Sequence, residues 1–156
     1  MNIIKKIWDQ TSGRFIFSSI FFLVCMSLDF SITNFYVQDN IDLEGNILNK
    51  LWLKMTGQFH YIDIPIWIIC ILGIAFFFKW WGPTKKHEII TLWWLNSIAF
   101  QNLLGFLSWL PYGILNFVYY NCKTDYAVTL TLSGIGITLG LLLALIQIII
   151  KQKPVL

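Results

Sequence analysis

Four long apolar segments dominate the sequence and leave little chain between them. They are residues 15–37, 62–81, 89–120 and 126–150. A helix needs about 20 mostly apolar residues to cross a bilayer, because each residue advances it by about 1.5 Å. All four segments reach that length. The sequence therefore predicts one membrane domain over residues 1–156, an all-α bundle of four transmembrane helices.

The composition agrees with a chain that lies mainly in lipid. Hydrophobic residues make up 57% and charged residues 12%, whereas a soluble domain carries about 25% charged residues. The net charge of +3 is spread between the apolar segments, which argues against a nucleic-acid-binding patch. The three cysteines lack a C-x-x-C pair, so no zinc-type spacing or disulfide framework is indicated. The first apolar segment is too long for a signal peptide and is predicted to be retained.

The third segment is longer than one span requires, and it contains Pro111. Proline removes a backbone hydrogen bond and clashes with the preceding turn, which predicts a kink or break near Leu110. The part that follows either stays transmembrane or leaves the membrane axis, and the sequence leaves both alternatives open.

Lysine and arginine are distributed unequally between the two ends of the predicted bundle. One end has Lys5, Lys6, Arg14, Lys79, Lys85, Lys86, Lys151 and Lys153, and the other has Lys50, Lys54 and Lys123. The positive-inside rule then predicts that both termini are cytoplasmic and that the loop 38–61 faces outward. This charge bias, with no N-x-S/T site in the sequence, fits a prokaryotic plasma membrane.

The outward loop carries an apolar pattern with helical spacing. Its apolar members are Ile47, Leu48, Leu51, Trp52 and Met55, with Asn49, Lys50 and Lys54 between them. The pattern predicts a short amphipathic helix in the outer interface of the membrane. The alternative is a loop that packs on top of the bundle.

Small and polar residues form a stripe along the fourth segment. They are Thr129, Ser133, Gly136, Gly140, Ala144 and Gln147. At 100° per residue they fall within an arc of about 80°. Small side chains let membrane helices approach closely, so the stripe predicts a helix-packing face rather than a ligand groove. A similar line in the third segment contains Asn102, Gly105 and Asn116.

Asp29 is the residue whose burial in the membrane costs most. A carboxylate inside a span costs a few kcal/mol unless it is neutral, paired or near the interface. Further polar residues belong to the same outward side: Thr33, Glu44, Asn46, His60 and Asp63. This set favours either an outward site for a divalent metal or a pair of carboxylates for acid/base work. The alternatives are a protonated Asp29 bonded within the bundle and a contact with a partner subunit.

Residues 28–48 contain Asp29-x-x-x-Thr33, followed by Glu44-x-Asn46 and Leu48. This stretch resembles a family of small prokaryotic membrane proteins, found especially in archaea, that has no assigned activity. Ile47 stands where that family prefers proline. The resemblance implies a structured outer site built from Asp29, Thr33, Glu44 and Asn46.

A second resemblance is architectural. Four spans with cytoplasmic termini look like lipoprotein signal peptidase, and Leu28-Asp29, 101–104 and 137–140 are similar to its motifs. On that alignment its two catalytic aspartates fall on Gly105 and Gly134. Because aspartyl chemistry needs both carboxylates, the resemblance implies a chain without peptidase activity.

Three functions are consistent with these features. The short loops and the packing faces favour a non-catalytic structural or accessory subunit of a larger membrane complex, whose partners are lipid and other membrane subunits or a second copy. The alternative is a small membrane enzyme or metal-binding protein with the acidic and histidine site. An oligomeric transporter or channel is the third, although no charged pore line is present.

Overall fold

The computed structural model describes residues 13–37, 42, 47–56, 63–81, 85–110, 118, 121–122 and 124–150. Five helices lie within them, and the predicted all-helical class is confirmed. They are α1 (Gly13–Val37), α2 (Ile47–Thr56), α3 (Asp63–Trp81), α4 (Lys85–Ser108) and α5 (Asp125–Ile149).

Three of these helices are long and apolar enough to cross a membrane: Gly13–Phe35, Lys86–Ser108 and Tyr126–Ile149. The apolar stretch of α3 is shorter, from Ile64 to Phe77. Large apolar side chains remain exposed along these helices, including Ile149 at 77%. Such surfaces are stable when the surrounding solvent is lipid, and this supports a membrane protein.

Helix α4 is the central element of the bundle. It packs most extensively against α5 and α1, and also against α3. Each of the three buried apolar clusters contains one α4 residue: Leu95, Ala99 or Leu104. The side chains of α4 therefore hold the other long helices in place.

The end of α4 lies near the predicted proline break. The backbone N–H of Trp109 donates to the carbonyl of Phe106 over 3.2 Å, and that of Leu110 donates to Leu107 over 3.3 Å. These i−3 bonds tighten the last turn of the helix. A residue before proline is disfavoured in the α conformation, which accounts for a helix that ends before Pro111. Pro111 itself lies outside the described residues.

Helix α2 lies against the bundle and contacts α5. Among the described side chains of this helix, from Lys50 to Thr56, Leu53 is buried, whereas Leu51, Trp52 and Met55 are exposed. The Trp52 and Trp67 rings meet edge-on, with centroids 6.5 Å apart. Leu53 is not among the residues that the predicted apolar pattern singled out.

Candidate functional site

The Asp29 carboxylate occupies a space that a glycine provides. Asp29 is half-buried on α1, and Gly105 lies opposite it on α4. A Cβ atom at Gly105 would meet the Asp29 Oδ1 at 2.6 Å and its Cγ at 2.9 Å. Because this is closer than van der Waals contact, a side chain at position 105 would displace the carboxylate.

Two hydrogen bonds connect this carboxylate to the end of α4. The indole Nε1–H of Trp109 donates to the Thr33 hydroxyl oxygen over 2.9 Å, and the Thr33 hydroxyl donates to Asp29 Oδ1 over 3.4 Å. An indole N–H can only donate, so Thr33 accepts from Trp109 and keeps its own hydrogen for Asp29. The chain Trp109–Thr33–Asp29 therefore fixes Asp29 Oδ1 as an acceptor.

The structure brings together two members of the predicted outward site, Asp29 and Thr33. Glu44, Asn46 and His60 lie outside the described residues, and so does the side chain of Asp63, the first residue of α3. Within the described residues, no three His, Cys, Asp or Glu side chains are grouped closely enough to hold a metal ion. The described part of the site therefore consists of the Asp29 carboxylate and the Thr33 hydroxyl that donates to it.

We expect Gly105→Ala to destabilise the protein only when Asp29 is present. The new methyl group would meet the tip of the Asp29 side chain, which can turn away only by losing its hydrogen bond from Thr33, and the loss of such a bond costs about 1 kcal/mol. The coupling between Gly105→Ala and Asp29→Ala, obtained from the free energies of unfolding of both single variants and the double variant, should be about 1 kcal/mol. Additive effects of the two substitutions would contradict the packing of Asp29 on Gly105.

A second polar cluster joins three of the long helices. The Asn96 Nδ2 donates to the Gln147 Oε1 over 3.0 Å, and the Gln147 Nε2 donates to the Ser18 hydroxyl over 3.0 Å. Asn96 and Ser18 are completely buried. The sequence stripe included Gln147, but Asn96 lay off the predicted line and Ser18 carried no signal. The three side chains cross-link α1, α4 and α5.

Two of the three glycines of α5, Gly136 and Gly140, lie at its contact with α4. A Cβ atom at Gly136 would meet Gln101 Cγ at 2.7 Å, and one at Gly140 would meet the backbone N of Ser97 at 2.5 Å. Ala144, in the same stripe, is buried, and Thr129 and Ser133 are half-buried. Asn102 donates to the carbonyl of Ile98 in its own helix over 2.8 Å, and Asn116 lies outside the described residues.

A charged cluster lies where α1 begins and α5 ends. Arg14 Nη2 donates to the Ile150 carbonyl over 3.1 Å, and Arg14 Nη1 is 3.6 Å from Glu88 Oε1. The Lys79 ammonium lies 4.7 Å from the centre of the Phe15 ring. Sequence reasoning used Arg14 and Lys79 only to set the orientation. Nothing in their spacing indicated that Arg14 would pair with Glu88 or that Lys79 would lie over the Phe15 ring.

The two glycines that align with the signal peptidase aspartates have different surroundings. Gly105 faces Asp29, whereas a Cβ atom at Gly134 would have no atom within 4 Å. Gly134 instead lines an open groove of about 410 Å³ along α5, beside Thr131 and Thr138. The two positions therefore do not share one polar site.

Comparison of the chain with protein-family models, with curated proteins and with solved structures gives no match.

Proposed function

We propose that this chain is a non-catalytic structural or accessory subunit of a larger membrane protein assembly. The observation that carries the proposal is that the polar side chains within the spans bond to one another. Asp29 is engaged with Thr33 beside Gly105, and Gln147 is engaged with both Asn96 and Ser18. Groups that would bind a substrate in a small membrane enzyme are here used to join the helices of the chain.

The outward surfaces of the spans supply the contact area that such a subunit needs. Only 22% of the span segment of α5 is buried, against 39% for α4. The exposed side of α5 combines large residues such as Leu142 and Ile146 with the groove at Gly134. Small residues beside large apolar ones suit close packing against another membrane helix.

The finer topology belongs to the same proposal. Helix α3, with 19 residues, also crosses the membrane, which brings the number of spans to four. With an even number of spans both termini lie on the same side, the cytoplasmic side of a prokaryotic plasma membrane. Helix α2 then lies in the outer interface with Leu53 turned to the bundle and Met55, 82% exposed, turned to the acyl chains. Lys50 and Lys54 both lie near Asp42, with Nζ–Oδ1 distances of 4.0 and 3.6 Å.

The decisive experiment is gentle detergent extraction from the native membrane, followed by native-gel separation and mass spectrometry of the band. Comigration with larger subunits at a fixed stoichiometry is the expected result, and the interaction should survive Asp29→Asn. Migration of the chain alone, near the mass of a monomer or small homo-oligomer, would overturn the proposal.

A second candidate function is a metal-binding or catalytic site at the outward acidic residues. It is supported by the Thr33 hydroxyl, which donates to the Asp29 carboxylate. If this site binds a metal or a proton for catalysis, Asp29→Asn should abolish that binding in a folded, correctly inserted protein. The control is Thr138→Val, because the Thr138 hydroxyl donates to the carbonyl of Gly134 in its own helix over 2.9 Å and has no other hydrogen bond within the described residues. Metal analysis of the purified wild type that finds no metal, together with an unchanged Asp29→Asn variant, would contradict this candidate.

A further inference from the structure

The charged cluster of Arg14, Lys79 and Glu88 contains two cationic side chains but a single carboxylate. Among the described residues, Arg14 forms an ion pair with Glu88, whereas no carboxylate lies within 4.0 Å of the Lys79 ammonium. The cluster is therefore positive by one charge. Counting only the described residues, the Lys79 Nζ and the Arg14 Nε are buried and have no hydrogen-bond acceptor.

Donors of this kind are expensive to leave unsatisfied. A buried charged group without an acceptor costs more free energy than a buried neutral one, and Phe15 offers Lys79 only the face of its ring. Arg14 and Glu88 retain side-chain exposures of 19% and 34%, so the cluster opens to the surface of the bundle. Lysine has a flexible stem with rotatable donors, which allows its ammonium to turn towards an anion that enters there.

We infer that this cluster binds the phosphate of an anionic phospholipid at the ends of α1, α3 and α4. A phosphodiester has several acceptor oxygens and can accept from Arg14 and Lys79 together, which also cancels the excess positive charge. Basic sites between membrane helices bind such headgroups. The exposed apolar residues Ile16 and Phe77, which follow the cluster along α1 and precede it along α3, provide a surface for the acyl chains.

The test is native mass spectrometry of the purified full chain in a mild detergent, titrated with phosphatidylglycerol or phosphatidylcholine. We expect one phosphatidylglycerol to bind preferentially. Lys79→Gln should weaken this binding at least tenfold, and Lys79→Arg should retain it. Lys54→Gln, which removes the same charge from α2, is the matched control and should change nothing.

Glu88→Gln provides an independent variant in case Lys79→Gln fails to fold, which thermal melting would reveal. It removes the competing carboxylate and should strengthen phosphatidylglycerol binding severalfold. Unchanged affinity in Glu88→Gln, or equal losses in Lys79→Gln and Lys54→Gln, would overturn the inference. Displacement of the lipid by an equal concentration of inorganic phosphate would identify a free-anion site and overturn the assignment to lipid.

Discussion

Replacing Gly140 with alanine is expected to lower the free energy of unfolding by about 2–3 kcal/mol, the upper part of the range for overpacked sites. A Cβ atom there would lie 2.5 Å from the backbone N and 2.6 Å from the Cα of Ser97, and it would also meet the Ser97 hydroxyl. A side-chain tip can rotate away, but backbone atoms move only with their helix. The substitution must therefore separate α5 from α4, its most extensive partner.

The same helix contains a matched control. A Cβ atom at Gly134 would have no atom within 4 Å, so Gly134→Ala should be neutral or stabilise the protein by up to about 1 kcal/mol through helix propensity. Gly136→Ala should fall between the two, because Gln101 Cγ can move whereas the Gln101 backbone N, at 3.1 Å, cannot. Unfolding in mixed detergent micelles measures all three variants. Equal stabilities of Gly140→Ala and Gly134→Ala would contradict the close contact.

The packing of α5 illustrates what the sequence can predict. Gly136, Gly140 and Ala144 share one side of a helix because 3.6 residues complete a turn, and spacing alone shows which residues lie together. It does not show what they face. The opposing atoms belong to Ser97 and Gln101 on α4, and neither residue was on the line predicted for the third segment.

At the Asp29 site, too, the sequence predicts the contact within one helix but not the contact between helices. Asp29 and Thr33 are four residues apart on a helix, so their hydrogen bond follows from helical geometry. The contribution of Trp109 comes from a residue 76 positions away in the chain. Such a bond depends on how α1 and α4 are rotated and offset. One sequence read for its periodicity contains no information on that offset, and this is why Ser18 was also missed.

The second large effect is expected at Gln147, whose side chain joins Asn96 and Ser18 in one polar cluster. Gln147→Met keeps the volume of the side chain but removes the acceptor of Asn96 and the donor to Ser18. Asn96 is completely buried, and its Oδ1 already has no partner among the described residues. Its whole amide would then be unsatisfied, so we expect a loss of about 1–2 kcal/mol in unfolding free energy.

Asn96→Leu should be less costly than Gln147→Met, because Gln147 retains its bond to Ser18 and the unpartnered oxygen is removed. In the double variant no buried Asn96 amide is left unsatisfied, so it should be more stable than the sum of the single effects by about 1 kcal/mol. Thr138→Val, which removes a hydrogen bond to Gly134 within its own helix, should change the unfolding free energy little. Additive single effects would mean that Asn96 finds another acceptor, and the cluster would then not determine how α1, α4 and α5 are held together.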